Sequence, residues 1–405
     1  MEGAMHRRLL AGLLLASAML GAAHADEKTV RIGVLNDQTG MAADLAGPGT
    51  VVAVKLAVED FGSSVLGKPI EVVIADHQNK PDTAAQIASA WYDVKGVDMI
   101  IDLPNSSTAL AAFEVAKARK KVVIATAAIS SLLAGEKCID TGFQFTTDTY
   151  SLARGVAKGI VSNGGKDWFF ITADYAFGNS LDKDASDAVR EAGGKVLGRV
   201  RHPFGVADFS SYLVTAQSSG AKVIGLANGA GDLVNSMKQG SEFGIAQGGQ
   251  QLAAFLVYIS DVHSMGLDIA KGTRFVDTFY WDQNDATRAW SKRFMNAFGG
   301  RAPTQVHAAA YSAVTHYLKA VKAAGSVDGP AVAAKMREIP VDDFYTHGVK
   351  IRPDNRVVRD HFLWEVKAPA ESKYPYDYFK LITTVPGDQL VKPVGESDCP
   401  LVKKS

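Results

Sequence analysis

The feature that most constrains the fold is a repeated alternation of short β-rich apolar runs with helical stretches. Four runs are apolar on both faces, as buried parallel strands are, and they lie at residues 30–35, 70–75, 99–103 and 122–126. Helices are predicted between them at about 50–61, 81–94 and 107–120. This order predicts a parallel sheet with helices on both faces, and therefore one α/β lobe.

The alternation then starts again and predicts a second α/β lobe. Helices are expected at about 149–162, 178–192, 209–218 and 232–243, and strands at 168–172, 195–200, 223–226, 252–257 and 275–279. The remaining helices (about 286–298, 305–324 and 330–337) and a polar β-like segment (348–366) are too few for a third core. We therefore expect the chain to return and complete both lobes.

The predicted fold is α/β, with two doubly wound parallel-sheet lobes joined by a multi-strand hinge. The predicted first lobe is 26–146, completed by about 283–342. The second is 147–282, completed by about 343–380, and 381–405 is a C-terminal tail. The carboxyl ends of both sets of strands then surround one cleft, and ligands of open α/β sheets bind at such ends.

The first 25 residues have the pattern of a secretory signal peptide. His6, Arg7 and Arg8 form a positive region, an apolar stretch follows at 9–23, and residues 23–25 read Ala-His-Ala, a small-x-small cleavage site. The alternative is a membrane anchor, but the apolar run is shorter than the roughly 18 residues that a span needs. We predict cleavage after Ala25 and export to the periplasm, with no membrane insertion of the mature chain.

Export would place the two cysteines, Cys138 and Cys399, in an oxidising compartment. An oxidising compartment allows them to form a disulfide that fastens the C-terminal tail, and two buried free thiols are the alternative.

The 43 basic and 43 acidic residues balance, which argues against a nucleic-acid partner.

Motifs for catalysis, cofactors and metals are missing from the sequence. It has no GxSxG, P-loop or HExxH motif, and no GxGxxG after the first predicted strand. The nine histidines are scattered, and His307 and His316 are too far apart for an i, i+4 metal pair. We therefore predict a protein that is not an enzyme and has no cofactor or metal.

Small and polar residues do follow the predicted strands of the first lobe. Asn105, Ser106 and Ser107 come after the third strand, immediately before a helix, and Thr126, Ala127 and Ala128 end the fourth. Asn105 or Ser106 can cap that helix. Hydroxyl and backbone N–H groups at a helix start can also receive a ligand carboxylate, and the two roles are compatible.

Several segments together resemble the periplasmic leucine/isoleucine/valine-binding protein family. They are VRIGVLNDQTG, DHQNKPDTAAQIASAW, NSSTALA, ITADYAFG, ADFSSYL and VIGLANGAGDLVNSMKQG, in this order along nearly the whole mature chain. The resemblance implies the type I periplasmic-binding fold. It also implies a solute receptor, expected to be a monomer, that hands a small carboxylate ligand to the permease subunits of an ABC transporter.

The resemblance also implies roles for individual residues. Ser106, Ser107, Thr126 and Ala127 would hold the ligand carboxylate, and Tyr150, Tyr175 and Phe177 would close over the ligand from the second lobe. Asn228 and Asp232 follow a second-lobe strand, and Tyr258 and Trp281 are candidate pocket walls. For the aromatic residues the alternative is plain packing. Asp232 matches the acid that binds a ligand ammonium in amino-acid-binding members, but it can also be a helix N-cap.

The sequence does not decide which class of ligand the protein binds, or whether the bound ligand is transported or sensed. A hydrophobic amino acid needs a carboxylate in the protein to pair with its ammonium, whereas an aromatic acid needs only the anion site and apolar walls. A periplasmic receptor of the same fold that reports its ligand to a signalling partner is the alternative function.

Overall fold

The computed structural model describes residues 29–403. Its strands are β1 (Val30–Asn36), β2 (Ser64–Val65), β3 (Lys68–Asp76), β4 (Met99–Asp102), β5 (Val122–Ala125), β6 (Gly142–Gln144), β7 (Asp167–Ala173), β8 (Lys195–His202), β9 (Val223–Ala227), β10 (Gln251–Ala254), β11 (Arg274–Asp277), β12 (His361–Val366) and β13 (Phe379–Val385). Its α-helices are α1 (Gly47–Phe61), α2 (Pro81–Asp93), α3 (Ser106–Arg119), α4 (Thr149–Ser162), α5 (Ala176–Glu191), α6 (Ser210–Ser218), α7 (Gly231–Glu242), α8 (Ile259–Met265), α9 (Leu267–Ala270), α10 (Asp285–Ala297), α11 (Gln305–Ala324), α12 (Gly329–Glu338) and α13 (Gly387–Leu390).

The first lobe is built on a six-stranded sheet in the order β2-β3-β1-β4-β5-β6, parallel except for β2. One face packs against α1, α10, α11 and α12, and the other against α2 and α3. Its central strands are fully buried because both faces are covered by helices.

The strand predicted at 70–75 differs from the expectation of burial on both faces. It is β3, which is only partly buried, and Ile74 is 44% exposed. The outer neighbour of β3 is the two-residue β2, so the strand lies near the edge of the sheet and its neighbours cover it incompletely.

The second lobe has a four-stranded parallel sheet in the order β10-β9-β7-β8. Helices α4 and α5 cover one face, and α6, α7 and α8 cover the other. The predicted two-lobe α/β fold is therefore confirmed.

A third, antiparallel sheet was not anticipated. The strand predicted at 275–279 is β11, and it pairs with β12, which in turn pairs with β13. The last two strands follow the helices that return to the first lobe, so their pairing depends on contacts far apart in sequence. The segment predicted as a tail, 381–405, begins inside β13.

The disulfide between Cys138 and Cys399 is confirmed. Their Cα atoms are 5.5 Å apart, and 261 positions separate them in sequence. The bond fastens the C-terminal segment to the loop between β5 and β6.

Three crossovers join the lobes, between β6 and α4, β11 and α10, and α12 and β12. Buried polar contacts tie the first and the third of these crossovers together. Arg356 forms a fully buried ion pair with Asp148, and Arg359 Nη1 donates to the carbonyl oxygen of Phe145 at 2.7 Å. Burial alone would raise the pKa of Asp148, but Arg356 and Ser151 hold it below its ordinary value. The hinge thus contains paired charges whose loss would be costly.

The signal peptide predicted at 1–25 lies outside the described residues. Within 29–403, none of the helices combines the length and apolarity that a membrane span requires.

Candidate functional site between the lobes

A pocket of about 410 Å³, including its mouth, lies between the two lobes at the carboxyl ends of their strands. The residues that line this interlobe pocket are Ala42, Leu45, Asn79, Pro104, Asn105, Ser106, Ala127, Ile129, Tyr175, Phe177, Phe204, Gly229, Ala230, Leu256 and Tyr258. Residues of both lobes therefore contribute to its wall.

Three long helices begin at the interlobe pocket. The N-cap residues of α3, α5 and α7 are Asn105, Tyr175 and Ala230, and all three line it. Asn105 Oδ1 accepts hydrogen bonds from the backbone N–H groups of Ser107 (2.9 Å) and Thr108 (3.3 Å). The starts of α5 and α7 have no side-chain cap. Their backbone donors and the positive ends of the helix dipoles therefore favour an anion.

The lining residues carry no charge of their own. None of those in the described chain is Asp, Glu, Lys or Arg. A bound anion would therefore be stabilised by helix N-termini and neutral donors, and a bound cation would find no counter-charge in the wall.

Aromatic rings form the second-lobe wall. The ring of Tyr175 lies 5.8 Å from that of Phe177 in a tilted arrangement. It lies 5.0 Å from the ring of Phe204 in an edge-on arrangement. Such a wall suits a flat apolar ligand. Gly178 allows the start of α5 to pack closely on the end of β7, since a Cβ atom at this position would collide with the carbonyl oxygen of Ala173.

Buried polar atoms at and beside the interlobe pocket lack hydrogen-bond partners among residues 29–403. Tyr258 is 1% exposed and lines the pocket, and its hydroxyl has no hydrogen-bond partner within residues 29–403. Asn228, directly before the lining residue Gly229, is fully buried and its Oδ1 is likewise unpartnered there. Buried polar groups are normally paired, so these atoms point to a ligand or water.

An unusual backbone turn presents the first-lobe residues to the pocket. Asp102 and Leu103 have φ angles of 93° and 59°, a region that residues other than glycine seldom adopt. The Asp102 carboxylate accepts from Asn36 Nδ2 (2.8 Å) and from the Thr126 hydroxyl (3.0 Å), and burial raises its pKa to about 6. Backbone strain of this kind is often found at functional sites.

The two lobes touch beside the pocket, as in a closed conformation. Ser107 Oγ accepts from the backbone N–H of Ala176 at 3.3 Å, and the hydroxyls of Ser130 and Ser180 lie 2.7 Å apart. The first of these contacts joins the N-terminal turns of α3 and α5 directly.

The structure brings together six of the residues singled out from the sequence. Those that line the pocket are Asn105, Ser106, Ala127, Tyr175, Phe177 and Tyr258. Ser107, Thr126, Ala128 and Asn228 lie directly beside lining residues in sequence. Of these, Thr126 directs its hydroxyl to Asp102, and Ala128 is fully buried in the first-lobe core.

Two candidates lie elsewhere. The guanidinium carbon of Arg154 sits 3.5 Å from the ring centre of Tyr150, and Arg154 also pairs with Glu191 of α5. Trp281 donates from Nε1 to the carbonyl oxygen of Tyr376 at 3.0 Å, between the crossover and the antiparallel sheet. Neither side chain lines the pocket.

The surroundings of Asp232 match neither of the two roles considered for it, ligand binding and helix N-capping. It is the second residue of α7, not its N-cap, and its carboxylate accepts from the backbone N–H groups of Gly205 (3.2 Å) and Val206 (3.0 Å). Burial raises its pKa to about 6. It fastens the loop at 205–206 and does not line the pocket.

The remaining lining residues were not identified from the sequence as site residues. They are Ala42, Leu45, Asn79, Pro104, Ile129, Phe204, Gly229, Ala230 and Leu256. A usable signal existed for Asn79, Pro104 and Gly229, because they follow the carboxyl ends of β3, β4 and β9, as Asn105 follows that of β4. Metal-binding clusters of three or more His, Cys, Asp or Glu are not found in residues 29–403.

A family model described as periplasmic binding protein matches residues 29–373, which include the pocket and both lobes. The chain belongs to the periplasmic binding protein family. The predicted resemblance is thereby confirmed, and the family and fold are those of solute-binding proteins without catalytic activity. The family also implies a periplasmic location.

Solved structures agree with this assignment. A periplasmic binding protein from Burkholderia mallei is 46% identical, with a TM-score of 0.90 over 93% of this chain and 99% of that one. A branched chain amino acid ABC transporter periplasmic ligand-binding protein from Burkholderia xenovorans LB400 is 39% identical, with a TM-score of 0.81 over 93% and 100%. Among curated proteins, Leu/Ile/Val-binding protein homolog 6 of Brucella melitensis is 26% identical over 65% of this periplasmic binding protein and 67% of its own length.

Proposed function

We propose that this periplasmic binding protein captures a small hydrophobic carboxylate in the interlobe pocket and delivers it to the permease of an ABC transporter. The observation that carries the proposal is the meeting of three helix N-termini, at Asn105, Tyr175 and Ala230, around an uncharged, aromatic-walled pocket. Helix N-termini favour anions, and the aromatic wall favours an apolar body. The branched-chain type of transporter is supported by the Burkholderia xenovorans relative.

Within this class we propose an aromatic acid in preference to an α-amino acid. An α-amino acid carries an ammonium group, which needs a counter-charge when buried. Asp232, the acid expected to supply it, accepts from two backbone N–H groups of its own lobe and does not line the pocket. A ligand with a single negative charge suits these surroundings better.

We propose that closure of the lobes couples binding to delivery. Ligand first meets the first-lobe residues Asn105, Ser106 and Ala127, and Tyr175, Phe177 and Tyr258 then cover it from the second lobe. The contact between Ser107 and Ala176 joins the two lobes, and a ligand that touches both lobes would shift the population toward the closed form. The permease would recognise that form. Residues 1–25 would direct export and would be removed by cleavage after Ala25.

A thermal-shift screen tests the ligand class. The protein is freed of bound ligand by denaturation and refolding, and is then heated with benzoate, phenylacetate, leucine, valine or phenylalanine. Ligand in large excess over its dissociation constant stabilises the native state by a few kcal/mol, about 2.7 kcal/mol at a hundredfold excess. We expect aryl carboxylates to raise the melting temperature. A shift with amino acids alone would contradict the proposed ligand class.

Uptake by cells separates transport from sensing. In a strain that lacks the gene, accumulation of a radiolabelled ligand should fall and should be restored by the gene itself. Unchanged uptake, combined with loss of a transcriptional response to the ligand, would favour the receptor that reports to a signalling partner.

A further inference from the structure

A polar group on the first-lobe side of the interlobe pocket has no part in the function proposed above. Asn79 lies in the turn after β3 and lines the pocket. Its Nδ2 donates to the carboxylate of Asp37 at 2.6 Å, whereas its solvent-inaccessible Oδ1 has no hydrogen-bond partner among residues 29–403. An amide oxygen only accepts hydrogen bonds. The pocket therefore contains an acceptor that lacks a donor.

The orientation of this amide is set by its neighbour. Asp37 Oδ1 accepts from the backbone N–H of Gly40 (2.7 Å), and Oδ2 accepts from that of Ala42 (2.9 Å) as well as from Asn79. A carboxylate held by three donors selects the nitrogen of the Asn79 amide, since the amide oxygen would be repelled. The oxygen must consequently be the atom left for the ligand.

The position of Asn79 separates it from the proposed anion site. It follows β3, whereas Asn105 and Ser106 follow β4, and β1 lies between these two strands. Two strand spacings amount to about 10 Å along the sheet edge. An α-ammonium group is attached to the carbon next to the carboxylate, so it lies too close to the anion site to reach Asn79. A group on the far side of an aromatic ring does reach across such a distance.

We propose that Asn79 is a specificity-determining residue that accepts a hydrogen bond from a ring hydroxyl, and that the ligands are hydroxylated aryl carboxylates. This inference rests on the proposed function, because it takes the carboxylate to lie at the helix N-termini. Phenolic hydroxyls are neutral donors and need no counter-charge in the wall. A ligand without one leaves Asn79 Oδ1 buried and unpaired, which weakens its binding.

Titration calorimetry with matched ligands and matched variants tests the assignment. The refolded protein is titrated with benzoate, 3-hydroxybenzoate and 4-hydroxybenzoate. Asn79 and Gln78 have φ angles of 55° and 53°, which glycine adopts without strain, so Asn79→Gly removes the amide and keeps the turn. Gln78→Gly is the control, because Gln78 is exposed and does not line the pocket.

We expect at least one hydroxybenzoate to bind the parent about tenfold or more tightly than benzoate. This ratio should fall to near one in Asn79→Gly and stay unchanged in Gln78→Gly. Equal affinities of all three acids for the parent would overturn this inference and leave the proposed function standing. A ratio that survives in Asn79→Gly would overturn the role of Asn79. Failure of every aryl carboxylate to bind would overturn the proposed function as well.

Discussion

Replacing Tyr258 with phenylalanine should make the ligand-free protein more stable and its ligand complex weaker. The Tyr258 hydroxyl is buried without a hydrogen-bond partner in the described chain, and the aromatic ring lies in the wall of the interlobe pocket. Burying an unpaired hydroxyl costs about 1–3 kcal/mol, so its removal should return about 1 kcal/mol of stability. Since the entropy of unfolding is about 2.1 cal/mol/K per residue, a chain of this length should gain about 1 °C in melting temperature.

The affinity should change in the opposite direction. A hydrogen bond from a hydroxyl to a charged acceptor contributes about 1.5–3 kcal/mol. If Tyr258 donates to the ligand carboxylate, Tyr258→Phe should weaken binding by roughly 10- to 150-fold, at 1.4 kcal/mol for each factor of ten. Scanning calorimetry of the ligand-free protein and titration calorimetry with an aryl carboxylate measure the two effects separately.

The chain offers a matched control in Tyr317. This residue is fully buried in the core of the first lobe, and its hydroxyl also has no partner in the described residues, but it does not line the pocket. Tyr317→Phe should therefore raise the melting temperature similarly and leave affinity unchanged. A Tyr258→Phe protein that binds as tightly as the parent would contradict a hydrogen bond from Tyr258 to the ligand. So would an equal loss of affinity in Tyr317→Phe.

Three further predictions concern stability. Cys138→Ser removes a cross-link across 261 positions, for which the loop-entropy model gives an upper limit of about 5.6 kcal/mol. We therefore expect the free energy of unfolding in urea to fall by about 2–5 kcal/mol. Reduction of the parent should have the same effect, and equal stability of parent and variant would contradict a stabilising role of the disulfide. Arg356→Met leaves Asp148 buried without its partner and should lower the free energy of unfolding by about 3–5 kcal/mol. Adding Asp148→Leu should restore part of this loss. An Arg356→Met protein as stable as the parent would contradict a stabilising ion pair in the hinge. Burial raises the pKa of Asp277 to about 8, so its folded form keeps a proton that the unfolded chain loses near pH 4, and stability should fall as the pH rises toward 8. Asp277→Asn should reduce the fall in unfolding free energy between pH 6.5 and 8.5, and an unchanged slope would contradict this pKa.

Much of the fold could be predicted because local sequence and final structure agree along these strands and helices. The helix predicted at 305–324 is α11, which has the same bounds, since its apolar face and the following Gly325 mark it clearly. The antiparallel sheet could not be predicted in this way. Strands β11 and β12 pair across more than 80 positions, and nothing local to either strand specifies the partner.

The candidate site was predictable where it depends on strand ends followed by helices. Asn105, Tyr175 and Tyr258 line the pocket because each is the N-cap of a helix that follows a strand of a parallel sheet. Trp281 also follows a strand, β11, but that strand belongs to the antiparallel sheet and ends away from the pocket. For Asp232, the decisive contact is with a loop 26 residues earlier in the chain, which the sequence pattern does not reveal.

The proposed function requires a carboxylate between the lobes at the helix N-termini. A crystal structure of the protein grown with 4-hydroxybenzoate tests it most directly. We expect ligand density in the interlobe pocket, with the carboxylate at the starts of α3 and α5 and the ring against Tyr175 and Phe177. A ligand bound outside this pocket, or one with its carboxylate directed away from both helix starts, would contradict it.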